Sequence, residues 1–203
     1  MANSTIKNDI LLKKIYPKPS YDDYNSLNYD TEGLWSITLP NEANIISLNI
    51  INILQLTDIA DIKILDMTAG CGGNTISFCK YFNNVIGIEM NSDRFNILKT
   101  NMICYDFNNY TLICGNSLDY IDTSYDVFFI DPPWGGPEYK KKTNIELYLS
   151  NIKIYDVIEM IPSDKLIVLK LPFNYNYDIL EKYNIVMKIA IKNINIIFLF
   201  KNK

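Results

Sequence analysis

The sequence predicts an α/β fold in which a mostly parallel sheet is closed by an antiparallel C-terminal hairpin. Three observations carry this. Ile62–Leu65, Val85–Ile88, Thr111–Cys114 and Val127–Ile130 are short, predominantly apolar runs, the pattern of strands buried on both faces. Between the first three, Thr75–Tyr81 and Asp93–Cys104 have helical spacing, and strand–helix alternation implies a parallel sheet with helices on both faces. Near the end, Ile185–Ile191 and Ile194–Phe200 are separated only by Lys192-Asn193, which predicts a hairpin.

In chain order, residues 1–31 are polar and irregular and read as an arm, a short helix plus loop. Residues 41–56 carry Ile45, Ile46, Leu48, Ile50, Ile51, Ile53 and Leu54, a helix with one broad apolar face. A helix around Ile152–Ile161 and a strand Leu166–Leu171 precede the hairpin. We therefore expect an arm over residues 1–40 that contributes to the site, and one catalytic domain over residues 41–203. At 203 residues a single domain is expected.

Composition narrows the chemistry. Hydrophobic residues make up 48% and charged residues 21%, enough for a full core. The net charge of −4 argues against a protein that coats nucleic acid through a broad basic face. There is no histidine, which excludes Ser-His triads, histidine general bases and histidine-ligated metals. Cys71, Cys79, Cys104 and Cys114 form no CxxC pair, so no metal site and no disulfide framework is expected. The polar N-terminus lacks a signal-peptide core, and no apolar run approaches the roughly 20 residues of a membrane span. A soluble intracellular monomer is expected, with nucleus and cytoplasm not distinguished.

Asp66-Met67-Thr68-Ala69-Gly70-Cys71-Gly72-Gly73-Asn74 follows a strand and opens a helix. Its glycines permit a tight turn and close ligand approach beside a helix N-terminus. Asp66 would repel a pyrophosphate but suits a cationic amino group. Glu89 ends the second strand, where a carboxylate can accept both hydroxyls of a ribose. Acid, glycine loop and second acid together indicate S-adenosylmethionine, with Ala69, Gly70, Gly72 and Asn74 among its contacts. A glycine-rich turn alone is weak evidence, and the placement of Glu89 is what strengthens it.

Asp131-Pro132-Pro133-Trp134-Gly135-Gly136-Pro137-Glu138-Tyr139 ends the fourth strand, at the carboxyl edge where open α/β sheets bind ligands. A planar amine can donate one hydrogen to Asp131 and one to the Pro132 carbonyl. Its lone pair then faces the methyl donor, so Asp131, Pro132 and Trp134 are the candidate catalytic group, acting mainly by positioning. Trp134 offers a π-face to a base. The chemistry is methylation of an exocyclic amine, and these residues do not say which amine.

The Trp134–Tyr139 stretch, Gly70-Cys71-Gly72-Gly73-Asn74-Thr75-Ile76, Asp30-Thr31-Glu32-Gly33-Leu34-Trp35-Ser36-Ile37-Thr38 and Tyr21-Asp22-Asp23 together resemble the trimethylguanosine synthase family. The resemblance runs over about residues 14–175. It implies a Rossmann-like class I S-adenosylmethionine-dependent methyltransferase that acts on the 2-amino group of the 7-methylguanosine cap of RNA. It also implies cofactor contacts from Thr38, Asp66, Glu89 and Asn116, stacking of Trp134 on 7-methylguanine, and a hydrogen bond from Asn101 to the base. Cationic 7-methylguanine on tryptophan also makes physical sense as a cation–π pair. For the cap phosphates the candidates are the Lys13-Lys14 pair with Lys18, and the Lys140-Lys141-Lys142 run; we take Lys14, Lys140 and Lys141 as substrate-binding.

Three departures stand out. Asp131 occupies a position where many members have Ser, which brings the motif nearer to adenine-amine methyltransferases. Phe173 replaces an expected basic residue after Leu171-Pro172. The long N-terminal region of many cellular relatives has no counterpart, so the chain reads as a minimal catalytic domain. The alternatives are an adenine-N6 or tRNA guanine-N2 methyltransferase, and a cap-binding protein without catalysis.

Overall fold

The computed structural model of the protein describes residues 9–21, 23–55 and 62–202. Asp22, part of the aromatic-acid-acid turn, and the polar segment Met1–Thr5 lie outside the described residues.

The apolar runs form one seven-stranded sheet. Its strands are β1 (Lys63–Asp66), β2 (Asn84–Glu89), β3 (Tyr110–Cys114), β4 (Val127–Ile130), β7 (Leu166–Pro172), β8 (Asn184–Ile191) and β9 (Ile194–Phe200), in the order β3-β2-β1-β4-β7-β9-β8. The first five positions pair in parallel, and β9 joins antiparallel to both β7 and β8. The expected hairpin therefore forms, and its second arm is the one inserted into the sheet. That follows from burial: β9 is apolar and buried along its centre, while β8 alternates toward solvent as an edge strand should. A further short hairpin, β5 (Tyr148–Leu149) with β6 (Ile152–Lys153), takes the start of the segment expected to be helical. The helix there is α6 (Ile154–Met160).

Helices cover both faces. On one face α3 (Pro40–Leu54), α4 (Gly73–Tyr81) and α5 (Ser92–Ile103) bury Ile46, Ile50, Phe78, Leu98 and Met102 against Phe129 and Val168. On the other, α6 buries Ile154, Val157 and Ile158 with Phe128, Leu169 and Leu199. The neighbours Phe128 and Phe129 point to opposite faces, as the two-residue period of a strand requires. Among the described residues no helix is long and apolar enough to cross a membrane.

The arm is more ordered than its composition suggests. It contains α1 (Asp9–Ile15) and α2 (Thr31–Ser36), and Leu12, Ile15, Tyr16 and Leu27 belong to the same core as α3, α4 and α5. Asn101 fastens it. This side chain is fully buried on α5; its amide nitrogen lies within 2.9 Å of the Tyr16 hydroxyl and the Asn28 and Cys71 carbonyls, and its Oδ1 accepts from the Asn28 N–H at 2.8 Å. The expectation that Asn101 meets the substrate base is therefore corrected. Every polar atom of the side chain is spent on joining the arm to the glycine loop, and no face of it reaches solvent.

Removing this amide leaves several buried groups without partners, each costing about 1–3 kcal/mol. Asn101→Ala should lower the unfolding free energy by about 2 kcal/mol or more. Urea denaturation measures this directly, and a change below about 0.5 kcal/mol would show that the arm is held by its apolar contacts alone.

Candidate active site

The strand order reverses between β1 and β4, which lie side by side while their following segments depart in opposite directions. Crevices at such points, outside the carboxyl ends of the strands, are where open α/β sheets bind ligands. A cavity of about 860 Å³ opens there. It is walled by the loop after β1, the ends of β2 and β4, the arm residues 31–38, and β7.

The loop after β1 is pressed close to the arm. A Cβ on Gly33 would meet the Cys71 sulfur at 2.4 Å, and one on Gly73 would meet the Thr38 carbonyl oxygen at 2.8 Å, so neither position admits a side chain. Arg94, the only arginine in the chain, locks the contact from α5. Its guanidinium bonds Asp30 at 2.9 Å and Glu32 at 2.6 Å, and Asp30 also caps α2 by accepting from the Gly33 N–H at 2.6 Å. These bonds hold the Asp30 carboxyl below its ordinary range despite partial burial.

Of the residues expected at the cofactor, Thr38, Ala69, Gly70, Asn74, Glu89 and Asp131 line the cavity. Glu89 accepts from the Gly70 N–H at 3.0 Å and from the Asn91 N–H at 2.8 Å, which aims its carboxylate across the loop. Asn74 donates to the Thr38 hydroxyl at 2.8 Å, while its own buried Oδ1 has no partner, an orphaned acceptor on a residue of the cavity wall. Gly72 turns the loop with φ of 105° and caps α4 from below, outside the cavity wall. Asn116 is also set back from the wall between Gly115 and Ser117, with its Oδ1 accepting from the Leu118 N–H and the Ser150 hydroxyl.

Asp66 needs a correction. It does not line the cavity; it is sealed beneath the loop, accepting from the Thr75 hydroxyl at 2.6 Å and the Thr68 N–H at 3.2 Å. The last residue of β1 faces the first turn of α4, so its carboxyl anchors the loop from beneath and does not reach the cavity wall. Burial pushes this carboxyl up to about 7, with the Asp131 and Glu89 charges adding to the rise.

On the reaction side, Asp131, Pro132 and Trp134 line the same cavity. The Asp131 N–H donates to the Thr68 hydroxyl at 2.8 Å, tying this motif to the glycine loop. Trp134 is half-buried, packs edge-on against Tyr139 with centroids 5.1 Å apart, and has a buried indole nitrogen without a partner. Lys140 reaches the cavity wall. Lys141 instead pairs with Glu138 at 2.7 Å in solvent, and Lys14 lies exposed on α1, away from the cavity.

Sequence reading missed three contributors. Arg94 and the exposed indole of Trp35 both stand at the cavity. Lys170, 4% exposed in the middle of β7, donates to Asp131 Oδ2 at 2.6 Å, to the Ser36 carbonyl at 3.1 Å, and lies 5.3 Å from the Trp134 ring centre. A charged residue inside the otherwise apolar run Leu166–Leu171 is the signal that marks it.

The fold and this site define a class I methyltransferase. Solved structures of the same architecture include a precorrin-6y C5,15-methyltransferase from Geobacter metallireducens, with a TM-score of 0.58, 18% identity, and 92% of this chain and 100% of that one covered. An rRNA methylase from Streptococcus thermophilus aligns with a TM-score of 0.52 and 13% identity over 82% of this chain and 99% of that one. More specifically, residues 62–203 match the family described as RNA cap guanine-N2 methyltransferase, and the chain belongs to that family. A trimethylguanosine synthase of Schizosaccharomyces pombe is 31% identical over 180 residues, covering 77% of this chain and 73% of the relative. An uncharacterised protein of Acanthamoeba polyphaga mimivirus is 38% identical over 122 residues, 57% of this chain and 48% of that protein. The chain thus spans about half the length of the mimivirus relative.

The cofactor of this class is S-adenosylmethionine. The residues fit it: an acid ending β2, an open glycine loop, and the unpartnered Asn74 Oδ1 offer acceptors to a ligand rich in hydroxyl, amino and sulfonium character. Among the described residues no group of three or more metal-ligating side chains occurs.

Two measurements test this arrangement. Glu89→Ala should weaken S-adenosylhomocysteine binding by about ten- to a hundredfold, the loss expected for charge-assisted hydrogen bonds of about 1.5–3 kcal/mol. An unchanged dissociation constant in calorimetry would make Glu89 a loop support only. For Asp66 the folded pKa lies above the unfolded value of about 3.9. Between about pH 4 and 7 the folded chain therefore holds a proton that the unfolded chain has released, so this carboxyl makes stability fall as pH rises. Asp66→Asn should flatten the decline across that window in chemical denaturation, and a slope identical to wild type would place the Asp66 pKa near its ordinary value.

Proposed function

We propose that the protein transfers methyl groups to the exocyclic 2-amino group of the 7-methylguanosine cap of RNA, yielding the 2,7-dimethyl or 2,2,7-trimethyl form. The observation that carries this reading is the placement of Asp131, Pro132 and Trp134 on one wall of the cavity whose other wall is Glu89 and the glycine loop. Membership in the cap guanine-N2 family supports it.

Glu89, Gly70, Ala69 and the Thr38–Asn74 pair would hold S-adenosylmethionine, whose sulfonium would supply an activated methyl group. The protein's own work is on the acceptor. Asp131 Oδ2 is occupied by Lys170, and among the described residues no group donates to Oδ1, which leaves it for one amine hydrogen. The Pro132 carbonyl takes the second; proline has no N–H of its own to confuse the pattern. With both hydrogens bound, the nitrogen lone pair is directed into the cavity. The Asp131 carboxylate would stabilise the positive charge that methylation places on the nitrogen and would accept the departing proton. Trp134 supports the base by stacking, Lys140 is the one lysine of its run at the cavity wall, and capped RNA is the partner.

One observation favours a second reading. Asp131, where many family members have Ser, is the acid of adenine-amine methyltransferases, and Lys170 already places a cation near Trp134. Transfer to an adenine amine would need no 7-methyl group.

Labelled methyl transfer to 7-methylguanosine triphosphate, guanosine triphosphate and uncapped RNA, run side by side, separates the two. We expect strong preference for the first; equal use of methylated and unmethylated guanosine, or preference for uncapped RNA, would overturn the cap assignment. Trp134→Ala should abolish transfer to the cap, since a base–aromatic stack contributes about 1–3 kcal/mol and also orients the amine. Binding of S-adenosylhomocysteine should change by less than about threefold, because the ring is assigned to the base; wild-type turnover in this variant would sink that assignment.

A further inference from the structure

A lysine in the centre of a buried strand demands an explanation, because an ammonium leaves water at high cost unless it is paired. Lys170 is the one charged residue, at the fifth position, in a strand whose seven residues are all buried. Its Nζ has two partners: Asp131 Oδ2 at 2.6 Å and the Ser36 carbonyl at 3.1 Å. The first is the acid of the proline-rich motif. The second is the last residue of α2, the arm helix that roofs the cavity. An apolar residue on β7 would pack at less cost, so neither partner is needed for the sheet.

We infer that Lys170 is a positioning residue for methyl transfer, which keeps Asp131 a carboxylate with Oδ2 held and Oδ1 free, and which makes that arrangement depend on the arm being seated. This rests on the acceptor geometry proposed above. The charged groups around Asp131 make the need plain. Asp66 at the end of β1 lies near enough for the Asp131 charge to raise it, Glu89 lines the cavity at the end of β2, and Lys170 comes from β7. Arg94 from α5 and Lys140 from the turn after the motif also face the cavity, but Arg94 is engaged with Asp30 and Glu32. Lys170 is thus the cation in contact with Asp131. Burial pushes the Asp131 carboxyl above its ordinary range, and the Lys170 charge and hydrogen bond offset part of that rise. A protonated Asp131 would turn a hydrogen-bond acceptor into a donor, misdirect the amine, and lose the negative charge that stabilises the developing nitrogen cation.

The arm contact adds a second consequence. Ser36 donates no side chain to the pair; it offers a backbone carbonyl, whose position is fixed by α2 and so by the Arg94–Asp30–Glu32 lock. Seating the arm and orienting Lys170 are therefore one event.

The test follows the Asp131 carboxyl directly by carbon-13 NMR of the full chain labelled at aspartate, with Asp131→Asn assigning the signal. In the wild type we expect Asp131 to be ionised at pH 7. In Lys170→Gln, which keeps a donor but removes the charge, its midpoint should rise by about one pH unit or more, and the acid limb of the methylation rate should move with it, so that the rate falls about tenfold further at pH 6 than at pH 8. Lys170→Arg should restore the wild-type profile, and the KM for S-adenosylmethionine should stay within about threefold in both. Identical titrations in wild type and Lys170→Gln would overturn the inference. So would a wild-type Asp131 already protonated at pH 7, an outcome readable even if the Gln variant does not fold. The expected titration without methylation of any cap substrate would instead overturn the proposed substrate and leave the role of Lys170 on Asp131 standing.

Discussion

Three carboxylates gathered at one sheet edge set the terms for the rest of this molecule. The neighbouring placement of β1 and β4 brings together Asp66, which ends β1, and Asp131, which directly follows β4, and β2 adds Glu89 one strand away. In a poorly solvated crevice like charges raise one another's pKa and favour neutral forms. Each acid is answered differently. Asp66 is buried and fed by the Thr75 hydroxyl and the Thr68 N–H, Glu89 is held by the Gly70 and Asn91 N–H groups, and Asp131 is paired with Lys170. We assign the three separate roles: a loop anchor, an acceptor open to the cavity, and an acceptor beside the proposed reaction centre. A ligand carrying sulfonium and amino cations is the natural complement to an edge with this surplus of negative charge.

The arm belongs to this electrostatic arrangement and to the packing at once. Asn101 joins it to the glycine loop, Arg94 clamps Asp30 and Glu32 over the cavity, and Lys170 reaches from the sheet to Ser36. Gly33 and Gly73 let the arm approach the loop within van der Waals contact. Residues 31–38 are therefore a wall of the site, held by a handful of polar contacts on an apolar base formed by Leu12, Ile15, Tyr16 and Leu27.

Much of this was legible from the sequence, for physical reasons. Apolar runs of four to six residues separated by helical spacing can hardly bury themselves other than as a parallel sheet, and the two-residue connection Lys192-Asn193 leaves only a hairpin for the last strands. The glycine loop, Glu89 and the Asp131–Trp134 motif were legible because strand ends at a switch point are where chemistry collects. What was not legible depends on contacts distant in sequence. Asn101 reads as one more polar helix residue until Tyr16, Asn28 and Cys71 surround it. Lys170 finds Asp131 from 39 residues away. Asp66 carries the right chemistry at the right spacing, but the side of β1 on which it lies is settled by the packing of α4. The arm helices, of seven and six residues, are too short to show a period and owe their form to tertiary contacts and to the Asp30 cap.

The central claim is geometric: one cavity holds the donor along Glu89 and the glycine loop, and the acceptor amine between Asp131 Oδ1 and the Pro132 carbonyl. The most direct test is a crystal structure with S-adenosylhomocysteine and 7-methylguanosine triphosphate bound together. The account predicts ribose hydroxyls on Glu89, the methylated base parallel to Trp134, and its 2-amino nitrogen within hydrogen-bond distance of both Asp131 Oδ1 and the Pro132 carbonyl, with Lys170 still on Oδ2. A base bound away from Trp134, or a 2-amino group turned away from Asp131, would contradict it.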